Sequence, residues 1–392
     1  MSISQKMQEF IEKASWIRKM FEEGAYLKQK YGTENVFDFS LGNPHLQPPS
    51  LFYQALKKEI EKSHSYTPNA GLLETREAIA AYLSQEHGIK FCADEIILTC
   101  GAAGALNVIL KALLNPGDEV IVLAPFFVEY GFYIDNHGGI MKVVLTKDNF
   151  DLDLEAINKA LNLKTKAILL NSPNNPTGQV YSEAVLKELA IILKEHKKKT
   201  KNIIYLIMDE PYRKIIYDGI KLPSIFKIYP ETILATSFSK DLSLAGERIG
   251  YLAIHPNCTY KKELIEACIL ANRILGFVNA PVLMQRIIKH LLNTSVNIEF
   301  YKRNRDLLCK GLSDLGFSFI LPKGAFYLFP KTPIPDDIAF VKALQTERIL
   351  AVPGSGFGTP GYFRLAFCVE ETVIKKAMPH FEKIANKFGL IS

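Results

Sequence analysis

The sequence predicts an α/β protein: a mostly parallel seven-stranded sheet covered by helices on both faces, with a smaller α+β domain beside it. Three observations carry this expectation. From about residue 90, seven short apolar runs rich in β-branched residues recur: EIILTC, EVIVL, IMKVVL, KAILLN, NIIYLIM, TILATS and RIGYLAI. Most are separated by helical patterns, the crossover that parallel strands require. Beyond them the pattern changes, with 282–315 reading as one long helix before FSFILP, AFYLF and YFRLAF resume shorter strands. Finally, 392 residues exceed the length of an ordinary single domain, about 100–200 residues.

Composition excludes several function classes. Hydrophobic residues at 48% and charged residues at 22% are ordinary for a folded protein and argue against disorder. The net charge of +6 is small for this length and gives no sign of a nucleic-acid partner. The densest basic run, KEHKKKTK at 194–201, closes an apolar-periodic helix and reads as a solvated helix end. Six cysteines at 92, 100, 258, 268, 309 and 368 show neither a CxxC pair nor metal-ligand spacing, so free thiols in a reducing cytoplasm and no metal site are expected. The N-terminal MSISQKMQEFIEKASW mixes charge into its apolar residues. No stretch reaches the roughly 18 apolar residues of a membrane span.

In open α/β sheets ligands gather at the carboxyl ends of the strands, so chemistry is expected just after the apolar runs. Taken in order, Thr99-Cys100-Gly101-Ala102-Ala103-Gly104 ends the first run and opens the helix ALNVILKAL, exposing backbone N–H groups suited to an anion. Close helix–strand packing would ask for the same small residues. After KAILLN comes Asn171-Ser172-Pro173-Asn174-Asn175-Pro176-Thr177-Gly178, where turn chemistry accounts for the prolines and glycine better than for the amides. An Asn side chain there could bond a ring oxygen or form an Asx turn. Asp209-Glu210-Pro211-Tyr212 follows IIYLIM; its aspartate could hold a pyridine nitrogen protonated or cap a helix. After TILATS stands Ser237-Phe238-Ser239-Lys240, with Arg248 eight residues on. The lysine can reach the crevice, and the hydroxyls and guanidinium could hold a phosphate.

Strand-end GAA, NNPTG, DEPY and SFSK followed by Arg248, in that order, resemble the class I/II pyridoxal-phosphate-dependent aminotransferases of the aspartate aminotransferase type, fold type I. The resemblance covers nearly the full length and includes SLGNP at 40–44, SYTPNAGLLETREAIAAYL at 65–83 and GYFRLAF at 361–367. It implies that Lys240 carries the cofactor's aldehyde, that Asp209 pairs with the pyridine nitrogen, and that Asn175 and Tyr212 bond the ring's 3-oxygen. It further implies that Phe127 stacks on the ring, and that Gly101, Ala102, Ala103, Ser237, Ser239 and Arg248 form the phosphate cup. By the same resemblance Tyr66 reaches the phosphate of a neighbouring subunit, which implies a homodimer with shared sites. Arg364 clamps the substrate α-carboxylate, with Gly42 and Asn175 beside it. The first 45 residues are expected to join the smaller domain, giving 46–285 as the large cofactor-binding domain and 1–45 with 286–392 as the small one.

The implied reaction is transamination between an L-amino acid and a 2-oxo acid, with aspartate and 2-oxoglutarate as a candidate pair. The freed Lys240 amine removes the Cα proton, and a second 2-oxo acid runs the steps in reverse, so ping-pong kinetics follow. Side-chain selectivity is less legible. Ala103 stands where some aspartate-selective relatives carry a basic residue. Arg273 lies one residue out of register with an arginine that crosses from the other subunit in another branch, and is expected to face solvent. Arg18 and Trp16 lie in a segment that covers the pocket in many relatives. The same scaffold supports carbon–sulfur β-lyases, the enzymatic alternative. A pyridoxal-phosphate-sensing binding protein is disfavoured because about 45 residues precede the large-domain pattern.

Overall fold

The computed structural model describes residues 3–391, with the backbone alone described over 13–21. All seven apolar runs form strands of one sheet: β2 Ile96–Thr99, β3 Glu119–Ala124, β4 Ile140–Leu145, β5 Thr165–Asn171, β6 Tyr205–Asp209, β7 Thr232–Ser237 and β8 Gly250–Ile254, after a two-residue β1 at Phe37–Asp38. Their order is β2-β8-β7-β6-β5-β3-β4. β8 alone runs antiparallel to its neighbours β2 and β7. The remaining pairings are parallel.

The period-two alternation of these strands divides the core between two faces. Leu98, Ile121, Leu123, Ile168, Leu170, Leu206 and Met208 face a layer that includes helices Leu73–His87 and Glu183–Thr200. Their neighbours Ile97, Val120, Val122, Leu169, Ile207 and Ile233 pack on Gly101–Leu113 and Lys261–Ile274. Local signals fix the helix starts: Ser182 Oγ accepts from the Val185 amide, and Asp153 and Asp336 cap in the same way. The basic run does end Glu183–Thr200, with Lys197, Lys198 and Lys199 in its last turn. One of the three does more than face water, since Lys197 reaches buried Glu231 at 2.7 Å.

A second apolar core gathers Phe37 and Phe39, the segment from Tyr212 to Tyr217, and residues from Val296 onward. Over it lie β1, paired in parallel with β10 Ile349–Leu350, and the antiparallel set of β11 Val352–Pro353, β12 Phe363–Ala366 and β9 Tyr327–Leu328. Two sequence expectations need correction here. The helix read over 282–315 is two helices, Val282–Ile288 and Ile298–Asp314. The break falls where backbone groups are drawn to other partners: Lys214 Nζ donates to Leu292 O at 2.5 Å and Thr294 O at 3.1 Å, and the Val296 amide donates to Asp241 O at 2.7 Å. FSFILP forms no strand; it keeps its alternation, with Phe317 buried and Ser318 exposed, but finds no ladder beyond a bond from the Lys331 amide to Ser318 O.

The N-terminal segment is divided. Leu27 and Val36 pack on Leu350. The first turns of helix Gln5–Tyr31 instead meet helix Tyr130–Asn136, through Lys6–Asp135 at 2.7 Å and an edge contact of Phe10 on Phe132. Among the described residues no helix is long and apolar enough to cross a membrane, and no cluster of His, Cys, Asp or Glu could hold a metal. The six cysteines are free thiols.

Candidate active site

A cavity of about 450 Å³ opens where the carboxyl ends of β3, β5, β6 and β7 meet the second core. Its volume lies in the range of small-molecule sites, roughly 300–1,000 Å³. Strand ends supply Asn171, Asp209 and Ser237, and the loops after them supply Phe127, Asn175, Tyr212, Ser239 and Lys240. The N-terminus of helix Gly101–Leu113 adds Ala102 and Ala103, and Arg248 enters just ahead of β8. From the other side come Ser40, Gly42, Tyr327, Phe357 and Arg364.

Lys240 is partly buried, and its Nζ donates to the Gly42 carbonyl at 2.7 Å. Burial is the main cause that pulls its pKa down to about 8, helped by Arg364 and Arg248 and opposed by Cys368. Asp209 is buried and accepts a short hydrogen bond from the Tyr130 hydroxyl through Oδ2. Burial raises its carboxyl to about 7 against that bond, and Glu210 adds to the rise. Its other oxygen, Oδ1, is buried without any partner.

Arg364 is buried beneath the aromatic faces of Tyr327 and Phe357, at 4.7 and 4.9 Å. It donates from Nη1 to Asn175 Oδ1 at 3.1 Å and from Nη2 to Ser40 O at 2.5 Å, which leaves Nε without a partner. Burial lowers its pKa from the ordinary guanidinium value, offset chiefly by Tyr327. The Tyr212 and Tyr327 hydroxyls share a hydrogen bond of 2.8 Å. Gly42 has no room for a side chain, since a Cβ there would stand 1.9 Å from the Tyr327 oxygen. Arg248 sits in the left-handed region at φ 52° and bonds Ala245 O and Cys100 O. Its Nη2 lies so near Gly101 that a Cβ there would be 3.0 Å away.

A partly buried lysine of lowered pKa, an orphaned carboxylate oxygen and a buried arginine thus share one cavity. Over residues 34–381 the sequence matches the family described as aminotransferase class I and II. The chain belongs to that family. Members of it are pyridoxal-phosphate-dependent. The aminotransferase is 33% identical to a probable aspartate aminotransferase of Methanocaldococcus jannaschii, covering 95% of this chain and 97% of the relative. It is also 33% identical to the aspartate/prephenate aminotransferase of Thermus thermophilus, over 88% and 90% of the two chains. In structure it matches an amino transferase from Eubacterium rectale with a TM-score of 0.95 at 40% identity, covering 99% of both chains. An aspartate aminotransferase mutant from Thermus thermophilus matches at 0.89 and 30% identity, over 98% of this chain and 100% of that one.

Of the residues singled out in the sequence, Gly42, Ala102, Ala103, Phe127, Asn175, Asp209, Tyr212, Ser237, Ser239, Lys240, Arg248 and Arg364 line the cavity of the aminotransferase. Gly101 lies behind them against Arg248. Tyr66 does not join them and is 88% exposed. Arg273 is exposed at the end of helix Lys261–Ile274, away from the cavity lining. The side chains of Arg18 and Trp16 lie outside the described residues. Sequence reasoning missed Tyr130, Tyr327, Glu129 and Tyr133, and named Asn171 only within its turn-forming string. Tyr130 stands only three positions after Phe127, but nothing in that string marks a buried hydroxyl donor. Tyr327 sits in AFYLF, which advertises a strand and nothing more.

Proposed function

We propose that the aminotransferase holds pyridoxal phosphate in this cavity on Lys240 and moves an amino group between an L-amino acid and a 2-oxo acid by a ping-pong route. The residues present fit that group: the buried, partnerless Oδ1 of Asp209 suits a protonated ring nitrogen, and the half-buried face of Phe127 suits a planar ring. When bound, the cofactor supplies an aldehyde carbon and an electron-withdrawing ring. The chain does the rest. Ala102 and Ala103 at a helix N-terminus, with Ser237, Ser239 and Arg248, offer N–H, hydroxyl and guanidinium donors to a phosphate. Asn175 and Tyr212 serve the ring's oxygen. Arg364 presents a planar fork to the α-carboxylate common to all donors, beside Gly42. Lys240, once free, takes the Cα proton, and its lowered pKa makes a neutral amine available near neutral pH.

The observation that carries this reading is the buried Lys240 amine in one cavity with Asp209 and Arg364. Lys240→Ala is expected to abolish the borohydride-reducible cofactor bond and nearly all transamination. A pyridoxyl group found by mass spectrometry on another lysine would overturn the assignment. Aspartate as the amino donor is supported by the relatives' names, and 2-oxoglutarate is the acceptor proposed with it. The exposure of Tyr66, Leu73 and Ile274 supports a homodimer in which Tyr66 serves the neighbouring site. A division into a small domain of 1–45 and 286–392 and a large one of 46–285 is supported in outline by the second core, which gathers Phe37, Phe39 and residues from Val296 onward, while Ile287, Ile288, Leu291 and Leu292 pack with the large-domain core. Free cysteines support residence in the cytoplasm.

A further inference from the structure

Tyr327 puts a hydroxyl into the cavity wall to which the proposed reaction gives no role. It stands in β9, is buried, and lines the cavity from the side of the second core. Its oxygen lies 2.8 Å from the oxygen of Tyr212, with the two rings edge to face and their centroids 5.6 Å apart. Tyr212 is buried as well. Among the described residues this is the only hydrogen bond that either hydroxyl makes, and its geometry admits either as the donor.

A phenol carries one proton, so the direction of that bond decides what Tyr212 has left to offer. If Tyr212 donates to Tyr327, its proton is spent inside the wall and the cavity meets lone pairs alone. A ring oxygen there, itself an acceptor, gains nothing. If Tyr327 donates, the Tyr212 proton is free for the cavity, and accepting one bond strengthens the bond it gives. Two features favour the second arrangement. The Arg364 guanidinium lies over the Tyr327 ring, 4.7 Å from its centroid, and a cation on the ring face draws electron density from the phenol, making its O–H the better donor. Gly42 also fences the Tyr327 oxygen so closely that a Cβ there would stand 1.9 Å away. A proton turned away from Tyr212 would then be left unbonded in a buried place.

We propose that Tyr327 is a positioning residue: it donates its hydroxyl proton to Tyr212 and thereby aims the Tyr212 proton at the ring oxygen of the cofactor. The inference rests on the reading of the cavity given above and acts through Tyr212 alone.

The test is a double-mutant cycle read by spectroscopy rather than by turnover. A donor at the ring oxygen competes with the proton that the bound cofactor holds there, so weakening the donor lets the cofactor keep that proton to higher pH. The visible absorbance of the holoenzyme is titrated with pH in the wild type, Tyr327→Phe, Tyr212→Phe and the double variant. Tyr327→Phe is expected to raise the midpoint by about half a pH unit or more when Tyr212 is present, and by less than about 0.2 once Tyr212 is Phe, because no phenol is then left to aim. Tyr327→Leu removes the same hydroxyl with different packing and should give the same pattern. A midpoint unmoved by both Tyr327 variants would overturn the proposal. So would an equal rise with and without the Tyr212 hydroxyl, which would place the effect in Arg364 instead. If the wild type bound no pyridoxal phosphate, or held it on a lysine other than Lys240, the reading of the cavity would fall, and this inference with it.

Discussion

An amine that is to act as a base near neutrality must part with its proton readily, and enclosure gives Lys240 that property. Because burial disfavours the ammonium form, the neutral fraction grows as pH rises through about 8. Capture of pyridoxal phosphate by the cofactor-free protein should rise with pH along a curve centred near 8; a midpoint above about 10, the ordinary lysine value, would show that the site does not tune this residue. Asp209 moves the other way. Its folded carboxyl, raised from 3.8 to about 7, binds a proton more tightly than in the unfolded chain. Its contribution to stability is thus present at low pH and lost as pH climbs through that window. In the cofactor-free state, Asp209→Asn should show a smaller fall in Tm between about pH 5 and pH 8 than the wild type, measurable by calorimetry, while turnover drops by roughly a hundredfold or more. For Arg364→Lys, loss of the paired bonds to a shared carboxylate should reduce kcat/KM about tenfold or more for aspartate, glutamate, alanine and phenylalanine alike. A loss confined to the dicarboxylic donors would contradict the assigned role. Lys240 and Asp209 were legible because each stands in a short string at a strand end, and Arg364, inside β12, through the string GYFRLAF. Tyr130, which bonds Asp209, was not, since nothing in PFFVEYG distinguishes a buried hydroxyl donor from a packing tyrosine.

Among the elements, strand ends do the positioning, and backbone close approaches set the tolerances. Gly42 belongs to a loop whose neighbour in space, Tyr327, comes from β9 far along the chain. SLGNP alone marked the glycine without giving the reason for it. A methyl at position 42 must displace the Tyr327 oxygen, and with it the hydrogen bond to Tyr212. Gly42→Ala should therefore destabilise the protein by about 1–3 kcal/mol and slow turnover. Adding Tyr327→Phe, which removes the clashing oxygen, should restore part of both. Denaturant unfolding and steady-state rates on the single and double variants check this; no recovery in the double variant would place the strain elsewhere. All seven sheet strands were readable because apolar β-branched runs bounded by turns have one good burial solution. The break after Ile288 was hidden from periodicity, because it depends on Lys214 and Asp241 reaching Leu292, Thr294 and Val296 from distant segments. FSFILP had the alternation of a strand but not the partner, and alternation says nothing about partners.

At the level of the whole molecule, Tyr66 leaves the aminotransferase with an aromatic side chain almost wholly in solvent. If it completes the phosphate site of a second copy, mixing Tyr66→Phe chains with Lys240→Ala chains should produce hybrids in which one of two sites holds both native residues. Activity should then recover well above either parent, and heterodimers proven by mass but inactive would count against sharing. The reversed strand has a consequence of its own. β8 begins where β7 stops, with Gly250 opposite Ser237, and Arg248 comes two residues before Gly250. Were β8 to run with its neighbours, the chain would enter it from the opposite margin of the sheet, roughly 17 Å away for a five-residue strand. The guanidinium would then be stranded on the wrong side. A single U-turn spares the chain a crossing helix and returns it, cation first, to the spot it has just left. Lysine and arginine therefore stay in step through the one connection of 238–249, whatever the helices on either face are doing.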